Sequence, residues 1–446
     1  MVLYPHESNN NDLNLVLKRR KQDNDFGSKG EKSVGTQRLR WKTHTLTASG
    51  APSHFSINSV DPLHFLPIAP SVQNGELFNI FIKLLTKFVV SIDGDPPANY
   101  YNTHWVPRCV KSPLLAQLAI YTASCYQAEF QKIPAGQSTV ALGLKLKSIA
   151  MLNDMLRSEE QSTCDETICG VVYLITNEWY WGIKENVEAH LRGLRQIVSL
   201  RGGLEEDMNP FLRQMIVLCD YHTACSYDCE LIFPHNVDQG VPHPIHIGTP
   251  LWDSKDRFSD QPEKLHISQE TAMILDDMRF LTSSIIKLGQ LDPVERDLTK
   301  LMTTSKWIRD RIYALPSGND CSKKDPRVFI YRSCRIAALI YCKAIVERIP
   351  LSQACTKEDL KTLWGSMWRV TLTQWKSIPG IFIWIILSAH QAARDTAYGR
   401  FLKSVLKTAS FYIALENWCV VDGALWTFVE LQRWLRKGTT GTLGCN

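Results

Sequence analysis

His222, Cys225 and Cys229 come nearest to a metal-ligand constellation in this chain, and His235, His243 and His246 follow in a proline-rich stretch. Positions i, i+3 and i+7 share one face of a helix, and imidazole with thiolate is a donor set that suits zinc. Structural zinc sites draw on close ligand pairs, however, and no Cys-x-x-Cys occurs among the 13 cysteines. Cys225 and Cys229 also share their segment with Leu218, Cys219 and Ala224, the setting of small core residues, so no metal or other cofactor is expected. Gly-x-Ser-x-Gly, Gly-x-x-x-x-Gly-Lys and His-Glu-x-x-His are all missing, and with them the usual nucleophile elbow, phosphate cradle and zincin helix. Catalysis is not expected.

Two other residue groups could bind rather than react. Trp179, Tyr180 and Trp181, or Trp364, Trp368 and Trp375, could wall an aromatic cage, although the i, i+4 pair Trp364 and Trp368 reads as core packing. A large helical body can leave a cavity between helices for a small effector, but the sequence does not locate one. Lys18, Arg19, Arg20 and Lys21 form a compact basic cluster, followed by Lys29, Lys32, Arg38, Arg40 and Lys42. Such a cluster on an exposed segment fits the acidic groove of a nuclear-import receptor, and the charges behind it add non-specific phosphate contacts. Reading DNA sequence needs a rigid element that carries side chains to base edges, which this stretch does not supply.

Composition sets the frame for these groups. With 446 residues, 44% hydrophobic and 21% charged, the chain is of the globular class and can bury a large core. Residues 1–50 hold nine Lys or Arg against five Asp or Glu, and the remainder 41 against 40. The basic surplus therefore belongs to the N-terminal stretch, and the body has no global field for holding a polyanion. Residues 1–55 are poor in large apolar side chains and are expected to stay largely disordered. No apolar signal segment opens the chain, so the cysteines read as buried or free thiols. The longest apolar run, Ile378 to Ala389, is interrupted by Pro379, Gly380 and Ser388 and is shorter than the ~20 residues a bilayer span needs.

From Leu77 onward, apolar residues recur at helical spacing. Phe78, Phe81, Ile82, Leu85 and Phe88 make a first stripe that the turn residues Asp93 to Pro97 end. Ser112 and Pro113 are the cap and first position of a helix through Phe130. Further helices are predicted over 140–157, 168–181, 210–230, 269–288, 293–315, 328–348, 357–375, 378–394, 399–418 and 424–437, with 168–181 apolar on more than one side. Four prolines between Pro234 and Pro250 make that segment a long loop. Period-two alternation is almost absent. The fold class predicted is all-α, a large irregular bundle or array of antiparallel helices, with solenoid-like stacking as the runner-up.

One more helix is the most distinctive. Leu191, Leu194, Ile197 and Val198 share a face, Arg192, Arg195, Gln196 and Ser199 point elsewhere, and Gly202 with Gly203 supplies a left-handed stop. By periodicity alone this is an amphipathic helix with a solvated basic face. His190-Leu191-Arg192-Gly193 and Leu200-Arg201-Gly202-Gly203 resemble the helix found in the regulatory domain of fungal-specific transcription factors. Three more stretches are similar to that family in the expected order: Ser59 to Pro67 to its opening segment, Ile378 to Trp384 to its late buried helix, and Trp418 with Ala424, Leu425 and Phe428 to its closing helix. The resemblance covers about residues 56 to 435.

The resemblance implies a nuclear regulator that acts through protein contact, with residues 1–55 a basic tail and residues 56–440 the helical regulatory domain. Other transcription regulators are the implied partners, as homo- or heterodimers, with DNA contact indirect or non-specific and no membrane partner. The gene set implied is metabolic or secondary-metabolite. The family also carries an N-terminal binuclear zinc cluster of six cysteines, whereas the first cysteine here is Cys109. Three readings stay open: loss of the finger, an upstream exon that encodes it, or pairing with finger-bearing relatives. The rival is an all-α small-molecule binder or enzyme on the same scaffold. A third reading is a cytoplasmic interaction protein in which the basic cluster is inert.

Overall fold

The structure is a computed structural model that describes residues 66–442 except 90, 96–104, 205–207, 235–236, 238–241, 291–294 and 318–324. Val72–Ile80 (α1) passes through one π-helical turn, Phe81–Leu85, into Thr86–Val89 (α2). Val106–Lys111 (α3), Pro113–Phe130 (α4), Thr139–Arg157 (α5), Asp165–Trp181 (α6), Lys184–Leu200 (α7) and Pro210–Tyr227 (α8) follow. After a loop with two short 3-10 turns come Gln269–Gln290 (α9), Glu295–Ala314 (α10), Pro326–Glu347 (α11) and Leu351–Ala354 (α12). The chain closes with Lys357–Met367 (α13), Leu372–Lys376 (α14), Pro379–Ala393 (α15), Gly399–Glu416 (α16) and Trp418–Thr442 (α17). No strand occurs among the described residues, so the all-α prediction holds.

Helices joined by short connections pack as pairs, α4 on α5, α6 on α7, α10 on α11 and α15 on α16. A solenoid would confine contacts to neighbouring repeats. Here α8 packs against both α15 and α17, and Tyr221 Oη donates to Asp422 Oδ1 at 2.8 Å across 201 residues of chain. The array is therefore closed on itself around one contiguous core. At its centre is α15, in which every residue except Ala392 is buried. The apolar run Ile378 to Ala389 is thus a core helix, and no helix among the described residues is long and apolar enough to cross a membrane.

Local chemistry sets the helix ends. Ser112 Oγ accepts the Leu115 N–H at 3.0 Å and Pro113 takes the first helical position, as the sequence predicted. The same hydroxyl donates to Glu166 on α6, so one side chain both starts α4 and ties it to the next layer. Ser112→Ala is therefore expected to cost about 1 kcal/mol or somewhat more, read as a lower urea midpoint with an unchanged slope. An unchanged midpoint would contradict this role for the cap.

The predicted helix 357–375 is instead two. Trp368 closes α13, and a new capping box opens α14, in which Thr371 Oγ1 accepts the Gln374 N–H at 3.2 Å and Gln374 Oε1 accepts the Thr371 N–H at 3.1 Å. The helix predicted over 424–437 starts six residues earlier, at Trp418. The one predicted to reach Glu230 stops at Tyr227, where Asp228 adopts the left-handed conformation at φ 53°. Arg436 from α17 holds that Asp228 at 2.6 Å and Glu230 at 2.5 Å, so the early stop serves a tertiary tie.

Candidate functional site

A partly open cavity of about 80 Å³ lies where α6, α8 and α16 meet, with the π turn and α2 at its edge. Trp179, Tyr180 and Trp181 all contribute to its wall, because the α6 C-terminus fans three successive aromatic side chains around one end of the helix. Met215, Leu218, Cys219 and His222 come from α8, and Ser404, Lys407 and Phe411 from α16. The lining is mainly aromatic and aliphatic, the usual ground of a ligand cavity.

Lys407 is the only lysine of that wall. Its ammonium sits 5.4 Å from the Tyr180 ring centre and 5.8 Å from that of Phe411, and no carboxylate among the described residues pairs with it. Loss of water around the ammonium pushes its pKa down to about 8. Three polar atoms of the same wall also lack a hydrogen-bond partner: Asn177 Oδ1, His222 Nε2 and Trp181 Nε1. Asn177 is 1% exposed and His222 5%, and Asn177 spends its amide on the Tyr173 carbonyl at 2.9 Å, which leaves the oxygen toward the cavity. Buried polar atoms are rarely left unsatisfied, so three such atoms around one space, beside an ammonium with no carboxylate partner among the described residues, are a signal of a binding site.

Behind the cavity lies a second polar cluster with a different meaning. Ser226 Oγ stands 2.7 Å from His390 Nε2, a spacing that a nucleophile and its base would show. Yet the hydroxyl proton goes to the His222 carbonyl at 2.6 Å, while Ser226 Oγ accepts from Trp179 Nε1 at 2.9 Å. Ser226 has one proton to give, so His390 must donate through Nε2, and its Nδ1 faces no partner. No carboxylate among the described residues orients the ring, and both residues are buried. The cluster bridges α8, α6 and α15 and does not activate the serine. Burial pushes both His222 and His390 down to about 3, and His222 stacks on Trp179 with ring centres 5.4 Å apart. Lys403, one turn before Lys407, donates to the Trp179 carbonyl at 2.6 Å and closes the cluster from α16.

The candidate zinc ligands go elsewhere. Cys225 is fully buried and Cys229 partly so, with burial pushing the Cys225 thiol well up and that of Cys229 to about 11. His246 pairs with Glu416 at 2.6 Å, and His235 lies outside the described residues. No group of three His, Cys, Asp or Glu side chains among the described residues is placed to hold a metal ion. Trp364 packs edge to face on Trp368 and on Phe401, and Trp368 lies tilted against Phe401, so the pair is half-buried packing against the core. Lys18, Arg19, Arg20 and Lys21 lie outside the described residues.

In α7 the apolar face Leu191, Leu194, Ile197 and Val198 is buried and Arg192 and Arg195 are exposed. Arg201 reaches the start of α6, 2.5 Å from Asp165 and 3.3 Å from the Thr163 carbonyl. The Gly203 N–H then bonds to Val198 O at 2.9 Å, with φ of 106° and 115° at Gly202 and Gly203. The Leu-Arg-Gly-Gly sequence is thus a helix stop combined with a helix-to-helix tie.

Fold and site together define a closed helical body with an aromatic cavity among the described residues. Residues 76–236 match the family model described as the fungal specific transcription factor domain, a family of transcription regulators. The match runs from α1 to just past α8, contains both Leu-Arg-Gly elements, and bears out the resemblance read from them. No curated protein and no solved structure matches the chain.

Sequence reading missed Lys407. A signal was present: Lys403, Lys407 and Phe411 stand at i, i+4 and i+8, so two lysines, one buried and one half-buried, share a face of α16 with an aromatic ring. Lysine is seldom placed there without a use.

Proposed function

We propose that the chain is a nuclear transcriptional regulator that acts through its helical body by protein-protein contact. The match of residues 76–236 to a transcription factor domain carries this reading. Residues 1–55 serve as a basic tail and residues 56–440 as the regulatory domain. Lys18, Arg19, Arg20 and Lys21 direct import, and the neutral body leaves DNA contact indirect or non-specific. Its partners are other transcription regulators, in a homo- or heterodimer, and its targets a metabolic or secondary-metabolite gene set.

The buried Ser226–His390 pair, with its proton committed to a backbone carbonyl, favours contact over turnover. The aromatic cavity supports a second function within the same reading, an effector site that adjusts the contact surface. A fluorescent fusion of the full chain is expected to accumulate in the nucleus. Replacing the four basic residues at 18–21 with alanine is expected to shift it to the cytoplasm. Exclusion of the intact protein from the nucleus would overturn the reading, and undiminished accumulation of the variant would remove the assigned role of the cluster.

A further inference from the structure

We propose that the cavity between α6, α8 and α16 binds a small carboxylic acid carrying one aromatic ring, with its carboxylate on Lys407. Tyr180 and Phe411 hold the ammonium within cation–π range, and no described carboxylate neutralises it. An anionic group is the partner whose arrival removes that deficit, through a charge-assisted hydrogen bond. A cationic ligand would meet like charge at Lys407, and a neutral apolar one would leave the ammonium unpaired.

The remaining wall selects the rest of the molecule. Trp179, Tyr180, Trp181 and Phe411 present ring faces and edges, which favour an aromatic guest over a sugar or a free amino acid. Trp181 Nε1 is a donor and Asn177 Oδ1 an acceptor, so a ring hydroxyl would be met on either side. Size completes the selection. The volume of about 80 Å³ is several times the roughly 10–15 Å³ that one water requires, yet below the roughly 150 Å³ of a closed cavity that takes benzene. One ring fits when its polar end lies at the open side; a nucleotide or a peptide does not. The site stands on these contacts alone and is independent of where the protein acts in the cell.

The test uses the purified full chain with benzoate, 4-hydroxybenzoate, benzamide and benzylamine as probes, followed by tryptophan fluorescence and calorimetry. The acids are expected to bind saturably below about 1 mM, at least about tenfold tighter than benzamide, and benzylamine not at all. Lys407→Met is expected to weaken acid binding about tenfold or more, the loss of one charge-assisted contact. It should also raise the melting temperature, because it removes a desolvated charge. Lys407→Arg keeps the charge and is expected to retain most of the acid preference, which guards against a variant that merely folds poorly. Absence of saturable acid binding, equal affinity for benzamide, or full acid binding by a folded Lys407→Met protein would each overturn the proposal.

Discussion

Gly380→Ala is expected to destabilise the protein by about 3 kcal/mol or more, a large part of the 5–15 kcal/mol by which domains are usually stable. Gly380 is buried at the start of α15, and a Cβ there would stand inside the carbonyl oxygens of Ile247 and Gly248. These are backbone atoms, held by the 3-10 turn Ile245–Ile247, and they cannot rotate away as the tip of a side chain would. Relief requires the most buried helix of the fold to withdraw from the loop it docks on, which opens the core along its length. Gly193→Ala is the matched control. Gly193 lies within α7 and a Cβ there meets nothing within 4 Å, so the helix gains about 0.5–1 kcal/mol. Urea midpoints of both variants decide the matter. A Gly380→Ala midpoint at or above that of the parent would contradict the docking of α15 on residues 245–248.

Acid is expected to unfold the protein well above the carboxylate range. His222 and His390 titrate near 3 in the folded state because burial excludes their charged form, against 6.5 in an open chain. Between those values the unfolded chain binds more protons than the folded one. Stability is therefore full above about pH 6.5 and is lost as pH falls toward 3. Each histidine contributes about 1.4 kcal/mol per pH unit below 6.5, so the pair removes about 4 kcal/mol by pH 5. His190, also pushed down by burial, adds in the same direction. The cations around the two rings, Lys407 near His222 and Lys403 and Arg394 near His390, reinforce the shift. Asp93 and Glu230, whose pKa values are held down in the fold, lose stabilisation in the same direction as pH falls through the carboxylate range. Urea unfolding at pH 7.5, 6.5 and 5.5 should show stability falling steeply across the last step. His390→Gln should remove close to half of that slope, and a flat profile from pH 7 to 5 would show that the histidines are not buried as described.

How much of this was legible in the sequence follows from the range of each interaction. Ser112-Pro113, Gly202-Gly203 and the apolar stripe of α7 act within one helical turn, and the sequence states them outright. The Thr371 and Gln374 capping box is equally local, but the apolar period running across it from Leu360 to Trp375 hid the break. The stop at Tyr227 is decided by Arg436, more than 200 residues further along the chain, and no local pattern carries that information. The zinc candidates His222 and Cys225 show the same limit: spacing put them on one helix, while tertiary burial decided that the cysteine stays a thiol and the histidine stacks on Trp179. The cavity is legible only in part, since the aromatic trio Trp179 to Trp181 was visible, but its pairing with Lys407 on α16 required the fold.

The proposed function requires that this helical body engage the transcription apparatus. Fusing the full chain to an unrelated DNA-binding domain and measuring a reporter that carries the cognate sites tests it most directly. Reporter output is expected to change several-fold relative to the DNA-binding domain alone, and to return to that baseline when Gly380→Ala disrupts the body. Output indistinguishable from the DNA-binding domain alone, with the fusion folded and bound at its sites, would contradict the account.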